Sequence, residues 1–293
     1  MTPEASLPPG VSTLADVTAL EKAARRVETP CGDAAMVWHM WGEGRPVVLL
    51  HGGAGSWTHW VRNVAPLARA GRRVCVPDLP GSGDSALPPN GEDADALPPW
   101  IEQGLGLLIP GEACDIVGFS FGAMVGAFIA ARRAVAVRQL VLVGAPALSP
   151  ERSPRLDLRS WKALPPGPQR QAVQRHNLRS LMLARDEAVD ALSIALHTAN
   201  VERDRMTRRR LSQTDVLVRT LPRVGCPVSG IWGTEDALYR GRTSVIGAAL
   251  SQAPAFRTLT LIPAAGHWVQ YEQATAFNDA LLAALAAVPC PQA

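Results

Sequence analysis

The stretch Asp115-Ile-Val-Gly-Phe-Ser-Phe-Gly-Ala-Met124 decides how the rest of the chain is read. Cys114 to Phe119 has the character of a short buried strand, and Gly122 to Arg132 that of an Ala-rich apolar helix. Between them Gly118-Phe119-Ser120-Phe121-Gly122 spells G-x-S-x-G where a strand must turn abruptly into a helix. The spelling has a steric reason. A serine lifted to the tip of such a turn sits in strained backbone. The strand and helix then crowd each other, so the positions two before and two after it tolerate no β-carbon. Ser120 is therefore the candidate nucleophile, and the Phe121 N–H a candidate donor to an oxyanion beside it. The competing reading is a plain strand-to-helix turn with an idle serine.

Outward from this turn, strand and helix patterns alternate, which predicts an α/β protein with a mainly parallel sheet covered by helices on both faces. Toward the N-terminus, residues 1–10 are Pro-rich and expected to fray, and Leu14 to Val27 is expected to form a short covering helix. Ala35 to Met40 and Pro46 to Leu50 read as strands, the second running into His51-Gly52-Gly53-Ala54-Gly55. Trp57 to Ala70 reads as helical up to Gly71, Arg73 to Val76 as a strand, Pro77 to Ser85 as a loop, and Pro88 to Pro99 as a loose segment. A helix over Trp100 to Leu108 leads into the central strand. Beyond it, Gln139 to Val143, Pro227 to Trp232 and Thr258 to Ile262 are further strands, and Gln273 to Val288 closes the chain as a helix.

The alternation stops between Leu148 and Leu221. No strand-like run occurs there, and 14 basic residues against 8 acidic ones between 151 and 221 leave a balance of +6, in a chain whose net charge is +3. The expected organisation is a core in two parts, residues 1–147 and 222–293, with a helical, cationic cap over 148–221.

The bulk composition fits one large globular domain: 293 residues, 47% hydrophobic and 19% charged. A charge of +3 argues for neither nucleic acid nor a membrane surface as partner, and no apolar run approaches a bilayer span. Five scattered cysteines (31, 75, 114, 226 and 290) spell no zinc site and read as free thiols in a reducing compartment. Near the N-terminus Glu4 and several prolines stand where a signal peptide would be basic and then apolar, so the expectation is a cytoplasmic protein. No strand is followed by G-x-G-x-x-G, and neither a P-loop nor HExxH is present, so no cofactor or metal is expected.

A serine hydroxyl needs a base, and the base needs a group that orients it. Two later strand ends supply them: Trp232-Gly233-Thr234-Glu235-Asp236 presents an acid, and Gly266-His267 a histidine. Loops at the C-terminal edge of a parallel sheet converge, so Ser120, His267 as base and Asp236 as orienting acid can meet there, with Glu235 the alternative acid. Gly53 is expected to supply the second oxyanion N–H, with Ala54 as the alternative. Ala54, His59 and Phe119 are candidate pocket residues. His51 reads as a structural residue holding its loop, and Asp78 and Asp84 as turn stabilisers.

Taken together, His51-Gly52-Gly53, Asp78-x-x-Gly81-x-Gly83-x-Ser85, Gly118-x-Ser120-x-Gly122, Trp232-Gly233-x-x-Asp236 and Gly266-His267 resemble the α/β-hydrolase superfamily over roughly residues 30–290. Within it, Gly266-His267-Trp268-Val-Gln270-Tyr-Glu272 and Trp57-Thr-His59-Trp-Val-Arg62-Asn63-Val64 look like the meta-cleavage-product hydrolases. Those enzymes cleave a carbon–carbon bond in a vinylogous diketo acid, and a cap arginine grips the carboxylate. The resemblance implies Trp268 as a pocket residue and Arg203 or Arg205 as that arginine. Phe119 and Phe121 replace the asparagine and methionine usual in that family's serine turn, and His59 stands in for a pocket asparagine.

The sequence thus predicts a cofactor-independent serine hydrolase acting on an ester or related carbonyl compound, a small molecule that the basic cap suggests is anionic. Carbon–carbon hydrolysis of a ring-fission product is the alternative within the same chemistry. A non-catalytic binding module on the same fold is the alternative outside it, and a homodimer is one option for the assembly.

Overall fold

A computed structural model describes residues 7–89, 91, 93–149, 154–206 and 208–288. Residues 1–6, Cys290 and part of the 148–221 segment lie outside the described residues.

Eight strands form one sheet in the order β1-β2-β4-β3-β5-β6-β7-β8. They are β1 (Arg25–Cys31), β2 (Ala34–Trp41), β3 (Arg45–Leu50), β4 (Arg72–Pro77), β5 (Cys114–Phe119), β6 (Val137–Val143), β7 (Val228–Gly233) and β8 (Phe256–Ile262). β1 and β2 form an antiparallel hairpin whose second strand pairs antiparallel with β4, and every other pairing is parallel. β3, β5, β6 and β7 are almost wholly buried, as their continuous apolar runs require of strands covered on both faces.

Alternate residues feed two cores. One face buries Val48, Leu50, Ile116, Leu140 and Leu142 under α3 (Pro98–Leu108), α4 (Phe121–Arg132) and α8 (Ser244–Leu250). The other buries Val47, Leu49, Val117, Val141 and Val143 under α1 (Leu14–Lys22), α2 (Val64–Arg69) and α10 (Ala274–Ala286). A fully buried leucine or valine contributes about 1.5–3 kcal/mol, and these inner strands are made of little else. At the far end of β5 from the serine, Asp115 is fully buried and held by Arg138 at 2.5 and 2.6 Å and by Arg72 at 3.0 Å.

Several expected bounds shift. Helix α1 ends at Lys22, and Arg25, Arg26 and Val27, expected as the end of that helix, instead begin β1. Thr13 and Asp16 form a capping box that starts α1. The Trp57–Ala70 stretch divides into a 3₁₀ turn at Trp57–Trp60 and then α2. The loose segment before β5 contains a 3₁₀ turn at Ala94–Ala96, and α3 begins at Pro98, with proline where its missing N–H costs nothing.

Between β6 and β7 the described residues contain no strand. They form α5 (Pro168–Asn177), a single π-turn at Leu178–Met182, α6 (Ala191–Glu202) and α7 (Val216–Thr220), joined by irregular backbone. No helix among the described residues is long and apolar enough to cross a membrane.

Candidate active site

Ser120 sits at φ 51° and ψ −115°, between the end of β5 and the first residue of α4. Its N–H donates to the Val143 carbonyl at 2.8 Å, which pins the strained residue to the neighbouring strand. The two glycines around it are sterically required. A β-carbon on Gly118 would lie 2.4 Å from the Gly122 carbonyl oxygen, and one on Gly122 would lie 2.4 Å from the Leu50 oxygen. Neither contact can be relieved, because both partners are backbone.

The ends of β7 and β8 are laced together. Thr234 N–H donates to the Ile262 carbonyl at 3.0 Å and Glu235 N–H to the Ala265 carbonyl at 2.9 Å. A β-carbon on Gly233 would meet the Ala265 oxygen at 2.1 Å, so glycine lets the two loops touch. This lacing brings Asp236 and His267 to Ser120. His267 Nδ1 lies 2.9 Å from Asp236 Oδ2, and its Nε2 lies 2.9 Å from Ser120 Oγ. The other Asp236 oxygen accepts from Leu238 N–H at 2.9 Å. One neutral tautomer satisfies all of it: Nδ1–H donates to the carboxylate, and Nε2 accepts from the serine hydroxyl. Glu235 points elsewhere and pairs with Arg240 at 3.2 Å.

The glycine loop after β3 is fixed by two histidines. Leu79 N–H donates to His51 Nε2 at 2.8 Å, which leaves Nδ1–H to donate to the Gly52 carbonyl at 2.8 Å. Gly52 N–H in turn donates to His59 Nδ1 at 3.2 Å. Burial pushes the His51 pKa down to about 4 and holds His59 well below the ordinary histidine value, the latter with help from His51, His197 and His267 nearby. Both rings are neutral at physiological pH. His51 is thus the loop-holding residue expected, whereas His59 is buried and lines the cavity. Asp78 is also a loop-holder. It accepts from Trp57 N–H at 2.8 Å and Asp84 N–H at 2.9 Å, and burial raises its pKa to about 6.

A cavity of about 420 Å³ opens over Ser120 and His267. Gly53, Ala54 (φ 48°), His59, Phe119 and Phe121 line its core side. Phe121 begins α4, so its N–H has no acceptor within the helix. The segment between β6 and β7 supplies the opposite wall, apolar at Leu156, Trp161, Leu181 and Met182 and polar at His197 and Arg209.

Three expected pocket residues lie elsewhere. Arg203 pairs with Asp84 on the surface. Arg205 donates to the Gly83 and Ser85 carbonyls, and its backbone N–H to Gly81. Both tie the insertion to the loop after β4, outside the cavity. Trp268 is fully buried behind His59, donates from its indole to the His59 carbonyl at 3.0 Å and stacks on Tyr271 at 4.3 Å. It supports the pocket wall without forming it.

The arginine that does enter the cavity is Arg209. Its guanidinium lies over the Phe121 ring, 5.5 Å from the centroid, and against Gly53, where a β-carbon would come within 2.8 Å of Nε. One terminal nitrogen is held by Asp204 at 2.6 Å, while the buried Nε has no hydrogen-bond partner. His197 was also missed. Together with Val201 it sits at i, i+4 spacing on one face of α6, the signal that could have indicated it. Burial lowers its pKa to about 4, so it too faces the cavity uncharged. Among the described residues no group of histidine, cysteine or acidic side chains could hold a metal ion.

The sequence model of the alpha/beta hydrolase family matches residues 47–280. A 2-hydroxymuconate semialdehyde hydrolase from Pseudomonas sp. (strain CF600) is 28% identical over 253 residues, 82% of this chain and 86% of that one. A 2-hydroxy-6-oxo-2,4-heptadienoate hydrolase from Pseudomonas putida is 30% identical over 263 residues, 84% of this chain and 92% of that one. Among solved structures, an esterase from Rhodococcus sp. ECU1013 superposes with a TM-score of 0.70 at 23% identity, over 90% of this chain and 99% of that one.

Proposed function

Since the chain belongs to the alpha/beta hydrolase family, we propose that it is a serine hydrolase that cleaves an ester or related carbonyl compound without a cofactor. The observation that carries this reading is the Ser120–His267–Asp236 relay, with 2.9 Å at each link, on the wall of a 420 Å³ cavity.

In this reading Ser120 Oγ attacks the substrate carbonyl carbon while His267 Nε2 takes its proton. Asp236 holds the imidazole in the tautomer that can accept it and stabilises the cation that forms. The N–H groups of Gly53 and Phe121 receive the oxyanion, and the α4 N-terminus adds its dipole. His267 then protonates the leaving oxygen, and the acyl-enzyme is released by water activated by the same histidine. The segment between β6 and β7 acts as a cap, and its apolar wall receives the hydrocarbon part of the substrate. The free thiols at Cys31, Cys75, Cys114 and Cys226 fit a cytoplasmic location.

One observation favours a second reading. Arg209 presents a buried, unpartnered Nε beside Gly53, which suits an anionic end of the substrate, and relatives at 28–30% identity are named as hydrolases of ring-fission dienoates. Carbon–carbon hydrolysis would use the same relay. Against it, Phe119 and Phe121 give apolar walls beside the serine where an enol-acid needs polar partners.

One screen separates these. Purified protein and its Ser120→Ala variant are offered p-nitrophenyl esters, acidic esters and a yellow dienolate ring-fission product. Serine hydrolysis requires that the variant lose turnover and fluorophosphonate labelling. Loss of the dienolate colour without ester cleavage would move the assignment to carbon–carbon hydrolysis. Inertness toward the whole panel and the probe would leave a binding module.

A further inference from the structure

Glu272 is a buried carboxylate that the proposed chemistry does not use. It belongs to α9 (Val269–Glu272), the short helix directly after His267, and its side chain is fully buried. Its hydrogen-bond donors are backbone N–H groups, and the Arg185 guanidinium lies 3.9 Å from Oε1. Oε2 accepts from Gly266 N–H at 2.6 Å, in the loop that carries His267. Oε1 accepts from Arg185 N–H at 2.7 Å and Ala184 N–H at 3.0 Å, in the segment between β6 and β7. An acceptor-only group facing three N–H donors suits an ionised carboxylate, and charge-assisted hydrogen bonds are the strong ones.

A second tie runs beside it. Trp268 N–H donates to the Met182 carbonyl at 2.7 Å. Met182 ends the π-turn that begins at Leu178, closed by Leu183 N–H to the Leu178 carbonyl at 2.9 Å, and Leu181 and Met182 both line the cavity. The fit is close enough to demand glycine: a β-carbon on Gly266 would lie 2.8 Å from Ala184 N and 2.9 Å from the Met182 oxygen. The residues on both sides of His267 are therefore tied to the π-turn and the backbone that follows it, Trp268 directly at Met182 and Gly266 through the Glu272 carboxylate at Ala184 and Arg185.

We propose that Glu272 is a positioning residue that couples the substrate-facing π-turn to the His267 loop, so that the imidazole reaches its place on Ser120 only when that wall of the pocket is in place. It acts through Gly266 and touches no reacting atom. The proposal rests on the serine-hydrolase reading for its kinetic consequence but not for its structural one.

The test uses Glu272→Ala and Glu272→Gln in the full chain. Active sites are titrated with a fluorophosphonate, and kcat per titrated site is measured on a p-nitrophenyl ester together with the downfield proton resonance of His267 Nδ1–H. A carboxylate lost from this position is expected to lower kcat per site by about 10- to 100-fold with KM changed far less, since displacements near 1 Å have such effects. Glutamine keeps one acceptor oxygen and should lose less than alanine. The resonance should broaden or shift in both. A purely structural role would lower the yield of titratable sites and the melting temperature but leave kcat per site unmoved. If kcat per site stays within twofold of the wild type and the resonance is unchanged, the proposal is wrong. Should alanine prevent folding, glutamine decides. If Ser120→Ala keeps its turnover, the serine reading fails, and the resonance alone then decides the positioning role.

Discussion

Replacing Asp236 by asparagine is expected to do more damage than replacing it by alanine, and the reason lies in two hydrogen bonds. One carboxylate oxygen accepts from Leu238 N–H at 2.9 Å and the other from His267 Nδ1–H at 2.9 Å. An amide has one acceptor and one donor end, so it can serve only one of these N–H groups. If its oxygen stays on Leu238, its NH₂ faces Nδ1, which must become an acceptor. The proton then moves to Nε2, and the ring can no longer take the Ser120 proton. If instead the oxygen turns to the histidine, the NH₂ confronts the Leu238 N–H at a carboxylate site only 1% exposed. A buried N–H left without a partner costs about 1–3 kcal/mol. At about 2 kcal/mol the useful orientation is only a few per cent populated, a loss of roughly 30-fold from this alone. With the mispositioned ring added, the total should approach the loss of about 10⁴-fold in kcat that a wrong imidazole tautomer produces in a serine triad. Alanine imposes no tautomer and should retain more activity. The assay is kcat/KM on a p-nitrophenyl ester at pH 7–8, per active site titrated. Asparagine within tenfold of wild type, or alanine worse than asparagine, would refute the argument.

Three further outcomes are expected. Arg209→Gln should reduce kcat/KM for an acidic ester by about 10- to 100-fold relative to its neutral analogue, the worth of one charged hydrogen bond, while Arg203→Gln leaves the ratio unchanged. Asp78 has its folded pKa raised from 3.8 to about 6 by burial, so between pH 4 and 6 the native state holds a proton that the unfolded chain has released. Stability from this group is therefore lost as pH rises through that window, by roughly 3 kcal/mol at neutral pH, and melting of Asp78→Asn should show a flatter pH dependence there than wild type. Gly122→Ala forces a β-carbon to 2.4 Å from a backbone oxygen and should cost at least about 3 kcal/mol, read as a fall in melting temperature or failure to express folded protein.

Residues whose role is imposed by backbone sterics or by position at a strand end were legible in the sequence. Cys114–Phe119 is a strand with the bounds expected, because the short apolar run Ile116 to Phe119 leads straight into the glycine-flanked serine turn and has few alternatives. Ser120, Asp236 and His267 could be paired because each follows a strand of one parallel sheet. β1 was not legible. Its Arg-Arg-Val-Glu start lies at the sheet edge with most side chains exposed, so it has neither an apolar run nor a clean alternation. The arginines fared worse for a related reason. Residues 203–206 and 208–210 form no helix or strand, so no periodicity says which of the arginines there turns inward. What makes room for Arg209 is the missing side chain of Gly53, against which it packs, more than 150 positions away along the chain. Trp268 misled for the opposite reason. It follows His267 directly, yet the backbone turns into α9 at that point and carries the indole away from the cavity.

The π-turn at Leu178–Met182 holds one residue more than an α-helical turn would. Deleting a single codon there would let the helix run on in regular pitch. It would re-aim Leu181 and Met182 and draw the Met182 carbonyl off Trp268. At this spot one such deletion would reshape the binding wall in a single step while leaving the sheet and the serine turn untouched. The substrate range of descendants of this protein should therefore change in jumps at this turn, where side-chain replacements elsewhere in the wall would change it by degrees.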